Sequence, residues 1–436
     1  MTTPADTPTR PRTLHELRVW RNAVFVVFAL SGLALATWVA RIPGVRDDLQ
    51  LTTETVGLLL LCLSIGAILG LSVSAPILAR LGARRGIVSG LSVAALGMVL
   101  VGIGTSIIPL VPCVALGLLL LGFGNGAVDV MMNVEAATVE RRLGKTILPL
   151  MHACFSLGTV LGAGLGAAAA AMNIPVAWHL FTMAVLLVGA TIAATRFIPR
   201  VHELGDDETP AEKLGWRVRL IDNLSVWRDW RLILIGVVML GMAFTEGSAN
   251  DWIALATVDG HHQDNATGAV VFGVFVAAMT VGRVVGGPLV DRIGRVWAIR
   301  VTAAMGVAGL LMFILGGPLW LVIVGTVLWG IGCSLGFPLG MSAAADDTKH
   351  AAARVSAVAM IGYCAFLVGP PLIGFLGQHF GILNALLVIF VLLAASGSCA
   401  AAVREHSGPR SRPVAGPRSG PAAATTAGAP DHTQVG

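Results

Sequence analysis

Residues 76–82 read Pro76-Ile77-Leu78-Ala79-Arg80-Leu81-Gly82, and residues 288–294 read Pro288-Leu289-Val290-Asp291-Arg292-Ile293-Gly294, the same frame 212 positions later. Each copy follows an apolar run, at 55–79 and 269–290. Two further echoes keep nearly the same spacing. Gly122 and Gly124 recur as Gly330 and Gly332, an offset of 208, and Gly162 recurs as Gly369, an offset of 207. Near-constant offsets describe one unit written twice in the same orientation.

Working outward from those copies, apolar runs fall near 22–42, 55–79, 87–107, 110–135, 147–171, 177–198, 231–256, 269–290, 298–316, 318–344, 352–376 and 380–403. A bilayer core of about 30 Å takes about 20 apolar residues per helix, whereas a barrel strand needs about ten with alternating polarity. The expected fold is an all-α membrane protein of twelve transmembrane helices in two pseudo-symmetric six-helix bundles, 22–198 and 231–403. An N-terminal segment (1–21), a polar central loop (199–230) and a tail (404–436) complete the chain. Within the central loop, 211–223 is expected to lie on the membrane surface with Trp216 and Leu220 toward lipid. The tail, rich in Pro, Gly, Ala and Arg, has the composition of a disordered segment.

Of 436 residues, 56% are hydrophobic and 12% charged, against roughly 25% charged in a soluble domain. That excludes a conventional water-soluble enzyme. The net charge of +5 would point to nucleic acid in a soluble protein, but its placement explains it. With the N-terminus in the cytoplasm, all 29 Lys and Arg except Arg41, Arg46 and Arg283 fall in cytoplasmic loops and tails. The positive-inside rule then places both termini in the cytoplasm of a multi-pass inner-membrane protein, with lipid and no nucleic acid as its surroundings. Cys62, Cys113, Cys154, Cys333, Cys364 and Cys399 all sit in apolar runs without a paired spacing. They are expected to be packing residues, with no disulfide framework, no metal and no cofactor.

The duplicated six-helix unit resembles the major facilitator superfamily from about Asn22 to Val403. Gly287-Pro288-Leu289-Val290-Asp291-Arg292-Ile293-Gly294-Arg295 is similar to that superfamily's G-x-L-x-D-R-x-G-R loop. The resemblance implies that Asp291, Arg292 and Arg295 latch a cytoplasmic gate. The first-half copy has Ala79 at the acid position, which leaves Arg80, Arg84 and Arg85 for any latch there.

A charged side chain at mid-membrane costs about 2.5–3.5 kcal/mol on insertion scales, so each one asks for a function. The fourth span reads Gly122-Phe123-Gly124-Asn125-Gly126-Ala127-Val128-Asp129-Val130-Met131-Met132-Asn133, which puts Asp129 and Asn133 on one helix face. Its glycines let neighbouring helices approach closely. The stretch resembles the fourth span of the fucose-type sugar/proton symporters, and the likeness implies that Asp129 takes up the proton and Asn133 contributes its amide to the solute site. The second acid expected in the first span is absent; Thr37, Trp38 and Val39 stand at that depth. From the residues alone Asp129 is either a proton-exchanging acid or one held between helices by hydrogen bonds.

His152 opens the fifth span with Ser156 four residues on, and is either a polar contact to solute or a histidine satisfied locally. Glu246 and Asn250 share a face of the seventh span, Glu246 being a second proton-coupling candidate. Near the outer mouth Arg41 is expected to pair with Asp251, or with Glu246, as a gate; the alternative is a snorkelling arginine and a solvated acid. Trp38 and Trp252 flank these groups and are candidates for lining the solute cavity. Arg283, two turns before Asp291, either contacts a solute anion or pairs with the gate loop. Asp259, His261, His262 and Asp264 are expected to form a solvated outer loop.

The expected function is secondary transport: a small solute, with a sugar or related polar metabolite as the class, moved by alternating access and coupled to protons through Asp129. The chain is expected to be no enzyme and to work as a monomer. An efflux pump for apolar or cationic compounds is the competing transport reading, and a non-transporting membrane sensor the alternative of another class.

Overall fold

The computed structural model describes residues 13–144, 147–199, 228–346 and 351–404. The expected surface helix at 211–223 and the tail from 405 lie outside them. Helix α1 (Leu14–Val39) begins earlier than the apolar run suggests. A capping box sets its start: the Thr13 side chain accepts from the Glu16 amide, and the Glu16 carboxylate accepts from the Thr13 amide at 2.8 Å. The chain then breaks at Ala40 and Arg41 and continues as the short α2 (Ile42–Leu49), ended by Gln50 in the left-handed region (φ 50°).

Helix α3 (Thr53–Gly102) has 50 residues and α8 (Asn265–Leu315) has 51. At 1.5 Å per residue, about 75 Å of straight helix would overshoot any bilayer. Both turn back. Gly66 and Gly70, early in α3, meet Leu119 and Phe123 of α4 (Val111–Leu143), so the two run the same way there. Further on, Gly90 and Gly97 meet Gly124 and Gly117, so the order is reversed. The reversal sits at Gly82, with φ 71° and ψ 165°, a region open only to glycine. Gly294 does the same in α8, with φ 79° and ψ 160°. These glycines are the closing residues of the repeated motif. The N-caps of the two helices, Thr52 and Asp264, keep the same spacing.

The remaining helices are α5 (Leu148–Ala171), α6 (Val176–Thr195), α7 (Trp230–His261), α9 (Leu319–Cys333), α10 (Gly336–Ala344), α11 (Ala351–Phe380), α12 (Ile382–Ala385) and α13 (Leu387–Ser398). Among the described residues ten helical stretches are long and apolar enough to span a bilayer, and the two that double back bring the crossings to twelve.

The glycine stripe on α4 is a packing device. A Cβ on Gly122 or Gly126 would lie 2.0 or 2.3 Å from the carbonyl oxygens of Leu63 or Ala67 in the second span. One on Gly124 would lie 2.3 Å from that of Gly90 in the third. Helix α4 is thereby wedged between both arms of α3 with its polar stripe held in place.

The two halves meet closely toward the end remote from the termini. Gly57 packs against Pro370 and Gly374, Gly273 faces Ala163, and Ala40, Ala167 and Ala269 form a buried cluster. Every hydrogen bond that joins described residues of the two halves lies at that end or at mid-depth: Arg46 to Asp259, Asn265 to Asp47, Thr53 to Gln378 and Ser64 to Phe366. The molecule is closed at the remote end, while mid-depth side chains such as Tyr363, 43% exposed, stay accessible.

Candidate functional site between the two halves

Residues 125, 129 and 133 recur at every fourth position of α4 and so form one stripe. The Asn133 amide donates to the Asp129 carbonyl oxygen at 2.8 Å and approaches the Asp129 carboxylate at 3.4 Å. Four residues before Asp129, Asn125 accepts from the Ser31 hydroxyl of α1 at 2.7 Å. Half-buried Asp129 pairs with no cation among the described residues. Across the gap, Tyr363 of α11 lies within electrostatic reach of Asp129. Asn125 escaped the sequence reading although the four-residue spacing that linked Asp129 to Asn133 would have found it.

His152 is exposed, with Phe28 edge-on to its ring at a centroid distance of 5.2 Å. Ser156 does not join it in a polar cavity; its hydroxyl is buried and donates back to the His152 carbonyl at 3.3 Å. Within electrostatic reach of His152 from the second half is Arg283, whose Nη2 donates to Glu246 Oε1 at 2.6 Å. This corrects two expectations. Glu246 pairs with Arg283 and not with Arg41, and Arg283 pairs within its own half at mid-depth and not with the gate loop. Asn250, one turn beyond Glu246, makes no hydrogen bond among the described residues.

The expected outer pair also does not form. Arg41 is 6% exposed and donates through Nη2 to the Ile174 carbonyl at 2.7 Å, with Nε and Nη1 buried and unpaired. Asp251 has neither a hydrogen bond nor an ion pair among the described residues. The break after Val39 turns Arg41 toward the start of α6, so the cation that reaches the second half is Arg46, on α2. It grips Asp259 with a fork, Nη1 to Oδ2 at 2.7 Å and Nη2 to Oδ1 at 2.5 Å. Asp47 beside it contacts Arg46 Nε at 2.9 Å and accepts from Asn265 at 3.0 Å.

The supposed solvated loop is therefore a pair of helix ends. Asp259 lies in the last turns of α7, His261 packs edge-on to Phe313 at 5.1 Å, and Asp264 caps α8 by accepting from the Thr267 amide at 2.7 Å. Trp38 and Trp252 are 2% and 0% exposed, and both indole N–H groups are buried without a partner. Both belong to the buried core, so in this conformation they do not line an open cavity. At the opposite end, Asp291 and Arg292 of the signature loop are exposed and have no hydrogen bond or ion pair among the described residues. Arg295 is held by both oxygens of Asp346, at 2.9 Å each. Nothing in the signature itself pointed to Asp346.

Sequence reading also passed over Glu135, 3% exposed on α4, which accepts from the Trp20 indole at 2.8 Å. A carboxylate six residues from Asp129 on the same span was the available signal.

The family model described as Major Facilitator Superfamily matches residues 23–364 and 247–430. An uncharacterized transporter of Sinorhizobium fredii, y4wD, is 31% identical over 368 residues, covering 83% of this chain and 92% of that one. In fold, the nucleoside transporter NupG superposes with a TM-score of 0.67 at 14% identity, over 89% of this chain and 98% of that one. A single-site variant of the E. coli fucose:proton symporter FucP gives 0.58 at 14% identity, over 88% and 98%. With its duplicated unit, its twelve crossings and a polar seam between the halves, the chain belongs to the Major Facilitator Superfamily, as a multi-pass inner-membrane secondary transporter that moves a small solute by alternating access and is not an enzyme.

Proposed function

We propose that the protein is a proton-coupled symporter in which Asp129 carries the proton and the seam around Asn133, Asn125 and Tyr363 receives a small polar solute. One observation carries this reading: Asp129 sits half-buried at the seam with an amide beside it and no cation paired to it among the described residues. An acid tied to an arginine would give up its charge at the cost of the pair, whereas an acid beside an amide can exchange a proton and keep its hydrogen bond. The fold shared with a fucose:proton symporter supports a sugar or related polar metabolite as the solute class.

The basic loops orient both termini to the cytoplasm, so the seam is accessible from inside and the Arg46–Asp259 fork closes the outside. All twelve crossings and the seam belong to one chain, which supports a working monomer. The efflux reading needs an aromatic cavity wall, and burial of Trp38 and Trp252 gives it less support.

The test is flux in proteoliposomes under an imposed pH gradient, with sugars, organic acids and cationic dyes as solutes. Wild type should move protons together with a solute, and Asp129→Asn should lose gradient-driven accumulation while retaining exchange of the solute down its own gradient. Identical behaviour of wild type and Asp129→Asn, with no solute moving protons, would sink it.

A further inference from the structure

The Arg283–Glu246 contact is a single one. One Nη2–Oε1 hydrogen bond of 2.6 Å joins the two side chains, although a guanidinium offers five donors and normally grips a carboxylate with two. No other hydrogen bond of Arg283 exists among the described residues, and its side chain remains 34% exposed while that of Glu246 is 15% exposed. The remaining guanidinium donors are therefore unpaired among the described residues and still accessible. Helix α5 meets α8 from the first half at Ala163 and Gly273, and it carries His152, exposed and edge-on to Phe28, within electrostatic reach of the guanidinium. The third titratable neighbour, Cys333 of α9, is buried and points its thiol at the Gly330 carbonyl, 3.4 Å away.

We propose that Arg283 and His152 form a two-sided anion subsite, that the transported solute carries a carboxylate, and that Glu246 is the counter-ion that holds Arg283 when the site is empty. The solute carboxylate takes the two-pronged grip that Glu246 leaves unmade, and contact with His152 ties the solute to both halves at once. Glu246, released from Arg283, takes up a solvent proton from the side to which the seam is open. Charge balances in both states: arginine with glutamate when empty, and arginine with the solute anion beside a protonated glutamate when loaded. A site that stays neutral moves through a low-dielectric barrier at far less cost than a charged one.

This rests on the transport reading above but not on Asp129, and binding tests it separately from flux. The full chain in detergent is titrated at constant ionic strength with matched pairs, D-glucuronate against D-glucose, lactate against lactamide and benzoate against benzamide, with the thermal unfolding midpoint as readout. At least one carboxylate should raise the midpoint where its neutral partner does not. Glu246→Gln should bind that carboxylate about tenfold or more tightly at neutral pH, with a flattened pH dependence, because the competing counter-ion is gone. Arg283→Gln should lose the effect. The double variant Arg283→Gln with Glu246→Gln, which leaves no unpaired charge to harm folding, should lose it as well.

Neutral partners that protect as well as the acids overturn the proposal, as does a panel in which no carboxylate protects, or protection that survives in the double variant. Asp129→Asn separates the two readings. Loss of gradient-driven flux with carboxylate binding intact supports both; loss of flux with no carboxylate binding leaves the symport and removes the anion subsite.

Discussion

Replacing Asp259 by Asn keeps the size of the side chain and removes one charge of the pair that joins the two halves at the end remote from the termini. The fork to Arg46 has contacts of 2.7 and 2.5 Å, and the two side chains are 22% and 23% exposed. Fully exposed pairs contribute about 0–1 kcal/mol, and hydrogen bonds to charged groups about 1.5–3 kcal/mol. A partly covered fork belongs near 2 kcal/mol, roughly a 30-fold change in an equilibrium. The loss stops there because Arg46 keeps Asp47 at 2.9 Å and the Gly57–Pro370 contact stays. A protein closed at that end by about 100:1 would fall to about 3:1, leaving roughly a quarter of the molecules open. Spin labels on cysteines placed at Gln50 and His262, one on each half, read that population from pulsed electron-electron distances after Cys62, Cys113, Cys154, Cys333, Cys364 and Cys399 are replaced. Asp259→Asn should add a longer-distance component, and the exchange of Arg46→Asp with Asp259→Arg should remove most of it. An unchanged distance distribution in Asp259→Asn would refute the assignment of this pair as the latch between the two halves.

Three further outcomes follow from local geometry. Gly294→Ala and Gly82→Ala, at φ 79° and 71°, should each cost about 1–3 kcal/mol and lower the thermal midpoint, while Gly287→Ala, with open space around it, should not. Gly122→Ala should reduce the yield of monodisperse protein on gel filtration, because its methyl would land 2.0 Å from the Leu63 carbonyl oxygen and overpacking costs about 1–3 kcal/mol. At the cap of α7, partial burial pushes the Asp229 carboxyl up, but Arg354 and the Arg231 amide outweigh it and hold the group below its ordinary value. Its contribution is thus fully present above about pH 4 and disappears as the pH falls through the lowered native value. Asp229→Ala should cost more than the ~1 kcal/mol of a cap alone, since it strands Arg354 at 6% exposure, and the gap in unfolding midpoint from wild type should close only at the acid end of a pH series.

Much of the architecture was written locally. Lipid offers the backbone no hydrogen-bond partner, so each crossing must announce itself as a run of apolar residues long enough to be helical. The repeated motif carried its own turn, since Gly82 and Gly294 hold a backbone conformation that other residues avoid. The glycine run on α4 and the four-residue step from Asp129 to Asn133 were likewise properties of a single helix. Helix starts were less visible: α1 begins at Leu14 because of one capping box, among residues too polar to count as membrane.

What the sequence by itself determined, then, is the number of crossings, the duplication, the charge-bearing faces and the short roster of acids and arginines at depth. Which of them meet was decided by the tertiary structure. Glu246 found Arg283 in place of Arg41, and Asp259 found Arg46 across 213 positions. The physical reason is one of scale. A half-to-half offset uncertain by a few residues is uncertain by about a helical turn, some 5 Å, while an ion pair is made or lost within about 4 Å. Only the packed positions of α2, α7 and α8 supply distances fine enough to choose the partners.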